Sequence, residues 1–138
     1  MEILGHRKFY QLKNDTTDYK NDRLIDIQRS AYVIGIEEWK MKTLVAWFRQ
    51  ENGAFSENTR NLTTKEDSLG LCQCSRWHRT NCAPADYQKQ KNQCLEWFRG
   101  YTENSTPETL HSDLRRGHNG NAWWYEKEIK EKELLFIF

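Results

Sequence analysis

The sequence lacks the features that would assign it at once to several common classes of protein. No block of basic residues is present and the net charge is +1, so the electrostatic footprint of a nucleic-acid-binding protein is missing. No apolar run approaches the ~18–20 residues that a membrane-spanning helix needs. The first residues, MEILGHRKFYQLKN, lack the apolar centre of a secretory signal. We therefore expect no nucleic-acid partner and no membrane span, and no signal peptide is visible.

The composition is that of a folded protein with a core of moderate size. Hydrophobic residues make up 37% and aromatic residues 13% of the 138 positions, although 30% are charged. This length fits one domain, which we place at residues 21–138 and expect to be monomeric. Residues 1–20 have no clear period and are predicted to be a polar arm. The apolar end at residues 134–138 is too short to span a membrane, and indicates a last packed segment or the cut edge of a longer chain.

Four cysteines lie close together, at positions 72, 74, 82 and 94. Their even number and clustering predict disulfides, and with them an extracytoplasmic location (periplasm, cell wall or secreted) or a phage-associated one. Four cysteines allow three pairings, among which the sequence does not choose. Free buried thiols and a zinc site are the alternatives, but the spacing is not the paired C-x-x-C of a zinc ribbon. We expect neither a metal nor a cofactor.

Hydrophobic periodicity predicts a mainly helical domain. The first two helices, from Asn21 or Asp22 and over residues 36–49, are separated by Gly35, and Gly53 is expected to form a left-handed cap after the second. Residues 54–68 have no helical period and predict a short β-hairpin or structured loop. Further helices are predicted from Pro84 to Gly100, after Thr106, and from Trp123. The pattern predicts an α+β fold, mainly α, with a small β-hairpin region between helices.

Glu51 lies at the predicted end of the second helix, close to three aromatic residues. The negative end of the helix macrodipole disfavours an ionised carboxylate at this place. Burial against Trp47, Phe48 or Phe55 would act in the same direction. Both effects predict a carboxyl that stays protonated closer to neutral pH, as a general acid must. The alternative is an ordinary exposed glutamate at a helix end.

Three short motifs resemble those of the soluble lytic transglycosylase (SLT) domain and its goose-type lysozyme relatives. The family has an E-S-x-F-like glutamate motif, then a G-L-M-Q-I motif, and later an A-Y-N-A-G segment followed by a tyrosine. The matching segments here are ENGAF (residues 51–55), SLGLCQ (residues 68–73) and LRRGHNGN (residues 114–121) with Tyr125. Cysteines replace the family's Met and Ile around the glutamine, His118 replaces a tyrosine, and Asn52 replaces a serine. The resemblance covers roughly residues 22–132 and implies a lysozyme-like fold.

The resemblance also implies an activity and a site. The activity is cleavage of the β-1,4 bond between N-acetylmuramic acid and N-acetylglucosamine in a peptidoglycan glycan strand, with Glu51 as the single catalytic acid. Ser68, Gly70 and Gln73 would then hold the N-acetyl group and the sugar hydroxyls. The opposite wall would consist of His118, Asn119 and Tyr125.

Two other functions remain open from the sequence. A hydrolytic lysozyme on the same fold would need a second carboxylate to activate water, at ~6.5–9.5 Å if it inverts configuration. Its candidates are Glu57, Glu66 and Asp67, which all lie in residues 54–68, the polar excursion, and are expected to face the cleft. The other is a non-catalytic role. A glycan-binding domain would use the same aromatic and asparagine side chains without any acid, and a cysteine-stapled or zinc-bound interaction module is also possible from the sequence.

Overall fold

The computed structural model of the protein describes residues 7–13, 18–62, 67–75, 82–118 and 134–136. Within these ranges helices predominate and two small antiparallel sheets accompany them, so the prediction of an α+β, mainly α fold is confirmed. The helices are α1 (Asp18–Val33), α2 (Met41–Glu51), α3 (Tyr87–Thr102) and α4 (Leu110–His118), with a 3-10 turn at Glu38–Lys40. The strands are β1 (Tyr10–Leu12), β2 (Arg60–Leu62), β3 (Asp67–Leu69), β4 (Cys74–Ser75) and β5 (Leu134–Phe136).

Helix α1 begins a few residues earlier than predicted and ends at a left-handed glycine. Gly35 has φ +89° and donates its N–H to the carbonyl of Tyr32, while Ile36 donates to the carbonyl of Ala31. These two bonds form a Schellman motif, in which a glycine accepts the positive φ without a Cβ penalty. Ile36 and Ala31 are both buried, which adds the apolar contact that accompanies this motif. The break at Gly35 redirects the chain into α2.

Helix α2 is the centre of the core. The predicted stripe of Met41, Leu44, Val45 and Phe48 is fully buried, and so is Trp47 beside it. The Trp47 ring packs edge-on against Phe48, with 5.2 Å between the centroids, and at a tilt against Phe98 of α3, with 5.8 Å between the centroids. A helix buried on so much of its surface has little freedom to shift, so its last residue, Glu51, is held at a fixed position.

The polar excursion after α2 forms a three-stranded antiparallel sheet in the order β2-β3-β4. Asn61 pairs with Ser68 across the first two strands, and Leu69 pairs with Cys74 across the second pair. The predicted β region between helices is therefore present. Strand β2 is exposed along its whole length, whereas Ser68 in the central strand is buried.

Helices α3 and α4 close the core from the other side. Asp86 caps α3 with a 2.9 Å hydrogen bond to the N–H of Lys89, in place of the helix start expected at Pro84. The helix passes through Gly100 and ends at Thr102, so the prediction that Gly100 terminates it is wrong. Leu110 and Leu114 of α4 are buried as predicted. The predicted helix from Trp123 lies outside the described residues.

The expected polar arm, residues 1–20, is partly built into the fold. Residues 10–12 form strand β1, which pairs with β5 in the register Tyr10↔Phe136. Gln28 of α1 supports this strand from inside, because its amide donates to the Tyr10 carbonyl and accepts from the Tyr10 N–H, both at 2.8 Å. Leu12 is buried in the core. Part of the segment expected to be an arm thus pairs with β5, which is distant from it in the sequence.

Candidate functional site

Glu51 is the last residue of α2 and is half-buried, so part of its side chain reaches the surface. Three large aromatic residues close to it in sequence, Trp47, Phe48 and Phe55, are fully buried. The chain leaves the helix without a left-handed glycine, because Gly53 does not have a positive φ, contrary to the prediction. The left-handed residue is instead Phe55, with φ +51°. Glu51 therefore lies at a helix end that lacks the predicted glycine cap.

Asn52, the residue after Glu51, joins α2 to the sheet. Its side chain is 3% exposed, and its Nδ2 donates to the carbonyl of Ser56 at 2.7 Å and to that of Gly70 at 3.0 Å. Its Oδ1 accepts from the N–H of Ala54 at 3.2 Å. One amide thus satisfies three backbone groups in the interior. It fixes the end of α2 against the turn that follows β3.

That turn, the glutamine turn, consists of residues 70–73. Gly70 has φ +90° and Gln73 has φ +52°, so both ends of the turn are left-handed. The Nε2 of Gln73 donates to the carbonyls of Gly70 at 2.8 Å and Thr59 at 3.1 Å. Since both hydrogens of this amide are used inside the protein, Oε1 is the atom of the Gln73 side chain with which a ligand can pair.

Two disulfides hold the glutamine turn on α3 and on the segment before it. Cys72 is bonded to Cys94 of α3, and Cys74 is bonded to Cys82. The prediction of at least one disulfide is confirmed, and the pairing that the sequence left open is resolved. All four cysteines are oxidised, which removes the free-thiol interpretation and any zinc site with thiolate ligands. Among the described residues no cluster of His, Cys, Asp and Glu has the composition of a metal site.

Of the other residues predicted to bind the sugar, Ser68 and Gly70 are buried. Ser68 is 2% exposed and lies in the central strand, so its hydroxyl is below the surface of the site. Gly70 is buried, and its carbonyl accepts from both Asn52 and Gln73. His118 is the last residue of α4, and its side chain lies outside the described part of the structure. Asn119 and Tyr125 lie outside the described residues.

Two of the candidate second carboxylates are paired with arginines. Glu57 contacts Arg23 at 3.0 and 3.3 Å, and this guanidinium holds the pKa of the Glu57 carboxyl below its usual range. Asp67 forms a two-point pair with Arg60 across β2 and β3, at 2.9 and 3.0 Å. Both carboxylates are therefore fixed in ion pairs at the edge of the excursion. Glu66 lies outside the described residues.

Arg23 is a site residue that the sequence analysis missed. Besides Glu57, its Nη1 binds the carbonyl of Phe55 at 2.7 Å, where the chain turns with positive φ. The guanidinium lies over the rings of Tyr19 and Tyr87, at 4.6 and 4.1 Å from their centroids. Stacking between two rings fixes the side chain while its N–H groups stay available for oxygen acceptors. No signal in the sequence connects Arg23 with Phe55, because the contact joins distant segments.

A comparison with family models, curated proteins and solved structures finds no match for this chain. None of the helices among the described residues has the length and hydrophobicity of a transmembrane segment.

Proposed function

We propose that this protein cleaves the β-1,4 bond between N-acetylmuramic acid and N-acetylglucosamine in peptidoglycan, in the manner of a lytic transglycosylase on a lysozyme-like fold. The observation that carries the proposal is the link from Asn52 to Gly70 at 3.0 Å. It brings the end of α2, with its glutamate, beside the glutamine turn. These are the two motifs that the family resemblance requires to face a common groove.

In this mechanism Glu51 acts twice. The neutral carboxyl first donates its proton to the bridging oxygen, and the bond from that oxygen to the muramyl C1 breaks. The resulting carboxylate then takes the proton of the muramyl 6-hydroxyl, whose oxygen bonds to C1 and closes a 1,6-anhydro ring. One carboxyl thus serves as acid and then as base, and no second carboxylate or added water is consumed.

Two of the three candidate second carboxylates are paired with arginines, and this pairing favours the mechanism over hydrolysis. A hydrolase needs a second carboxylate that is free to bind water or to attack the sugar. Glu57 and Asp67 instead each accept hydrogen bonds from an arginine, in an ion pair. Breaking such a pair to activate water would leave a guanidinium without its partner.

Gln73 is suited to the role of an acceptor in the groove. Its Nε2 is fixed by two backbone carbonyls, and this fixes the orientation of Oε1. An amide oxygen held in this way can accept from the N–H of an N-acetyl group or from a sugar hydroxyl. The two disulfides around the turn suit an oxidising, extracytoplasmic compartment, where peptidoglycan is found.

The test is digestion of purified peptidoglycan followed by mass spectrometry of the soluble fragments. Wild-type protein is expected to release fragments with 1,6-anhydromuramyl ends, whereas Glu51→Gln is expected to release none and to keep its thermal midpoint. The matched control is Glu103→Gln, since Glu103 is an exposed glutamate at the end of α3 and should be dispensable. Reducing ends would identify a hydrolase, and binding without any release would identify a glycan-binding domain. Activity that survives Glu51→Gln would contradict the assignment of the acid.

A further inference from the structure

Helix α3 contacts the glutamine turn through two side chains that are one helical turn apart. Gln90 accepts a 3.0 Å hydrogen bond from the N–H of Leu71, and Cys94 is bonded to Cys72. Residues four apart lie on the same face of a helix, so one face of α3 holds two consecutive residues of the turn. The covalent contact limits how far the turn can move. The hydrogen bond determines where the turn lies within that limit.

The amide of Gln90 joins three separate segments. In addition to accepting from Leu71, it donates through Nε2 to the carbonyl of Glu57 at 3.0 Å and to that of Pro84 at 2.9 Å. Its side chain is buried, with 4% of the residue exposed. Glu57 belongs to the loop that follows Glu51, whereas Leu71 belongs to the glutamine turn. Gln90 therefore fixes the distance between the loop that contains Glu57 and the glutamine turn, the two segments that flank the proposed site.

Gly70 lies between Gln90 and Asn52. On one side its carbonyl accepts from Asn52, the neighbour of Glu51. On the other side the amide of Gln90 occupies the space of a Cβ, since a Cβ built on Gly70 would lie 2.2 Å from Oε1 of Gln90. Gln90 therefore packs against the same residue whose carbonyl binds Asn52 at the end of α2.

We propose that Gln90 is a positioning residue that sets the separation between Glu51 and the glutamine turn. This inference rests on the proposed function. Gln90 does not touch the substrate, and acts by holding Gly70 and Leu71 at the place where Gln73 meets the sugar. A displacement of about 1 Å at a catalytic site can lower turnover roughly a hundredfold, so the role should be visible in kcat.

Gln28 provides a matched control. It is also a fully buried glutamine in a helix, and its amide also makes three hydrogen bonds to backbone groups, namely with the N–H and carbonyl of Tyr10 and with the carbonyl of Leu24. Its partners lie at β1 and within α1, away from the glutamine turn. Gln90→Met and Gln28→Met therefore remove equivalent interactions from two different places.

The experiment compares both variants with wild type on peptidoglycan, below the unfolding transition of each. We expect Gln90→Met to lower kcat roughly tenfold to a hundredfold, with KM within about threefold of wild type because the direct sugar contacts remain. Gln28→Met should keep wild-type kcat. Gln90→Glu, which retains the acceptor for Leu71 but loses the donors, should give an intermediate kcat and serves if Gln90→Met does not fold. Equal kcat in the Gln90 and Gln28 variants would overturn the proposal.

Amide hydrogen exchange separates a failure of this inference from a failure of the proposed function. The N–H of Leu71 should exchange at least about tenfold faster in Gln90→Met than in wild type or Gln28→Met, because its acceptor is lost. This result does not depend on any catalytic activity. Unchanged exchange at Leu71 would overturn the positioning role even if wild type cleaves peptidoglycan, whereas faster exchange with an inactive wild type would reject only the proposed enzyme.

Discussion

Asn52 Nδ2 and the Gly70 carbonyl are 3.0 Å apart, and this hydrogen bond connects the end of the central helix with the turn of the sheet. Both residues are buried, so water does not replace the bond when it is lost. The two motifs that resemble the SLT family are thus joined directly. The stability of this contact and the geometry of the proposed site depend on the same side chain.

Replacing Asn52 by alanine is expected to destabilise the protein by about 1–3 kcal/mol. The change removes three hydrogen bonds made by a buried side chain, each worth about 0.5–1.5 kcal/mol, although the Gly70 carbonyl keeps its bond from Gln73. Urea denaturation measures the change in the free energy of unfolding. The control is Asn58→Ala, an exposed position in the same loop, which should shift stability by less than about 0.5 kcal/mol. Equal effects at the two positions would contradict the buried network.

Alanine at Gly70 and at Gly100 should have opposite effects. Gly70 has φ +90° and no space for a Cβ, so Gly70→Ala should cost at least about 1–3 kcal/mol in backbone strain and contact. Gly100 lies within α3 with nothing within 4 Å of its Cβ position, and Gly100→Ala should stabilise the protein by about 0.5–1 kcal/mol. Thermal unfolding of both variants tests the pair. A neutral Gly70→Ala would be incompatible with the contact to Gln90.

The pair of Asp26 and Lys91 should make stability depend on pH in the acid range. Burial raises the pKa of Asp26, but hydrogen bonds from Tyr87 at 2.6 Å and Lys91 at 2.9 Å outweigh it, so that the pKa is lowered below 3.8. A carboxyl with a lowered folded-state pKa contributes stability that is present above the unfolded value and is lost as the pH falls through the folded value. The difference in unfolding free energy between wild type and Asp26→Asn should therefore shrink below about pH 4.

The same pair predicts an asymmetry between its two members. Lys91 is buried, with 5% of its side chain exposed, whereas 42% of the Asp26 side chain is exposed. Asp26→Asn leaves a buried ammonium without its counter-charge and should cost more than Lys91→Met, which leaves a carboxylate that water can reach. Denaturant unfolding at neutral pH compares the two variants. The reverse order would show that the buried charge is compensated elsewhere.

The two disulfides should differ in their contribution to stability. In the chain-entropy model the stabilisation increases with the length of the closed loop. The bond between Cys72 and Cys94 joins residues 22 positions apart, and the model gives it a stabilisation of about 3.4 kcal/mol. The bond between Cys74 and Cys82 joins residues 8 positions apart, and its expected stabilisation is about 2.5 kcal/mol. Two double variants, each with both cysteines of one disulfide replaced by alanine, test by thermal unfolding which disulfide contributes more to stability. A larger loss from the shorter loop would contradict the model.

Local patterns in the sequence predicted most of the helices. The periodicity of residues 36–49 identified the buried stripe of α2, and Gly35 marked the break before it. Two expectations about glycines were wrong because tertiary contacts decided them. At the end of α2 the turn is fixed by Asn52 and by the bond from Arg23 to Phe55, so that Phe55 and not Gly53 takes the positive φ. At Gly100 the helix α3 continues, because its packing on the core outweighs the low helix propensity of glycine.

The candidate site was only partly readable for the same reason. Its two motifs, ENGAF and SLGLCQ, are short, and β2 lies between them in the chain. Their resemblance to a known family was the reason to expect Glu51 and the glutamine turn at one site. The residues that hold them, Arg23 and Gln90, belong to α1 and α3 and make contact only in the folded chain. The sequence contains one indication of Gln90, because this polar residue lies between Tyr87 and Cys94 on the buried face of α3.

The pairing of Tyr10 with Phe136 has a consequence for the order in which the protein matures. A ribosome must add residues 13–136 after β1 before β5 is complete, so β1 is without β5 during that part of synthesis. The helical core, whose contacts are closer in sequence, can assemble in that interval. Addition of the last strand is then a late step, which completes the small sheet over a body that has already condensed.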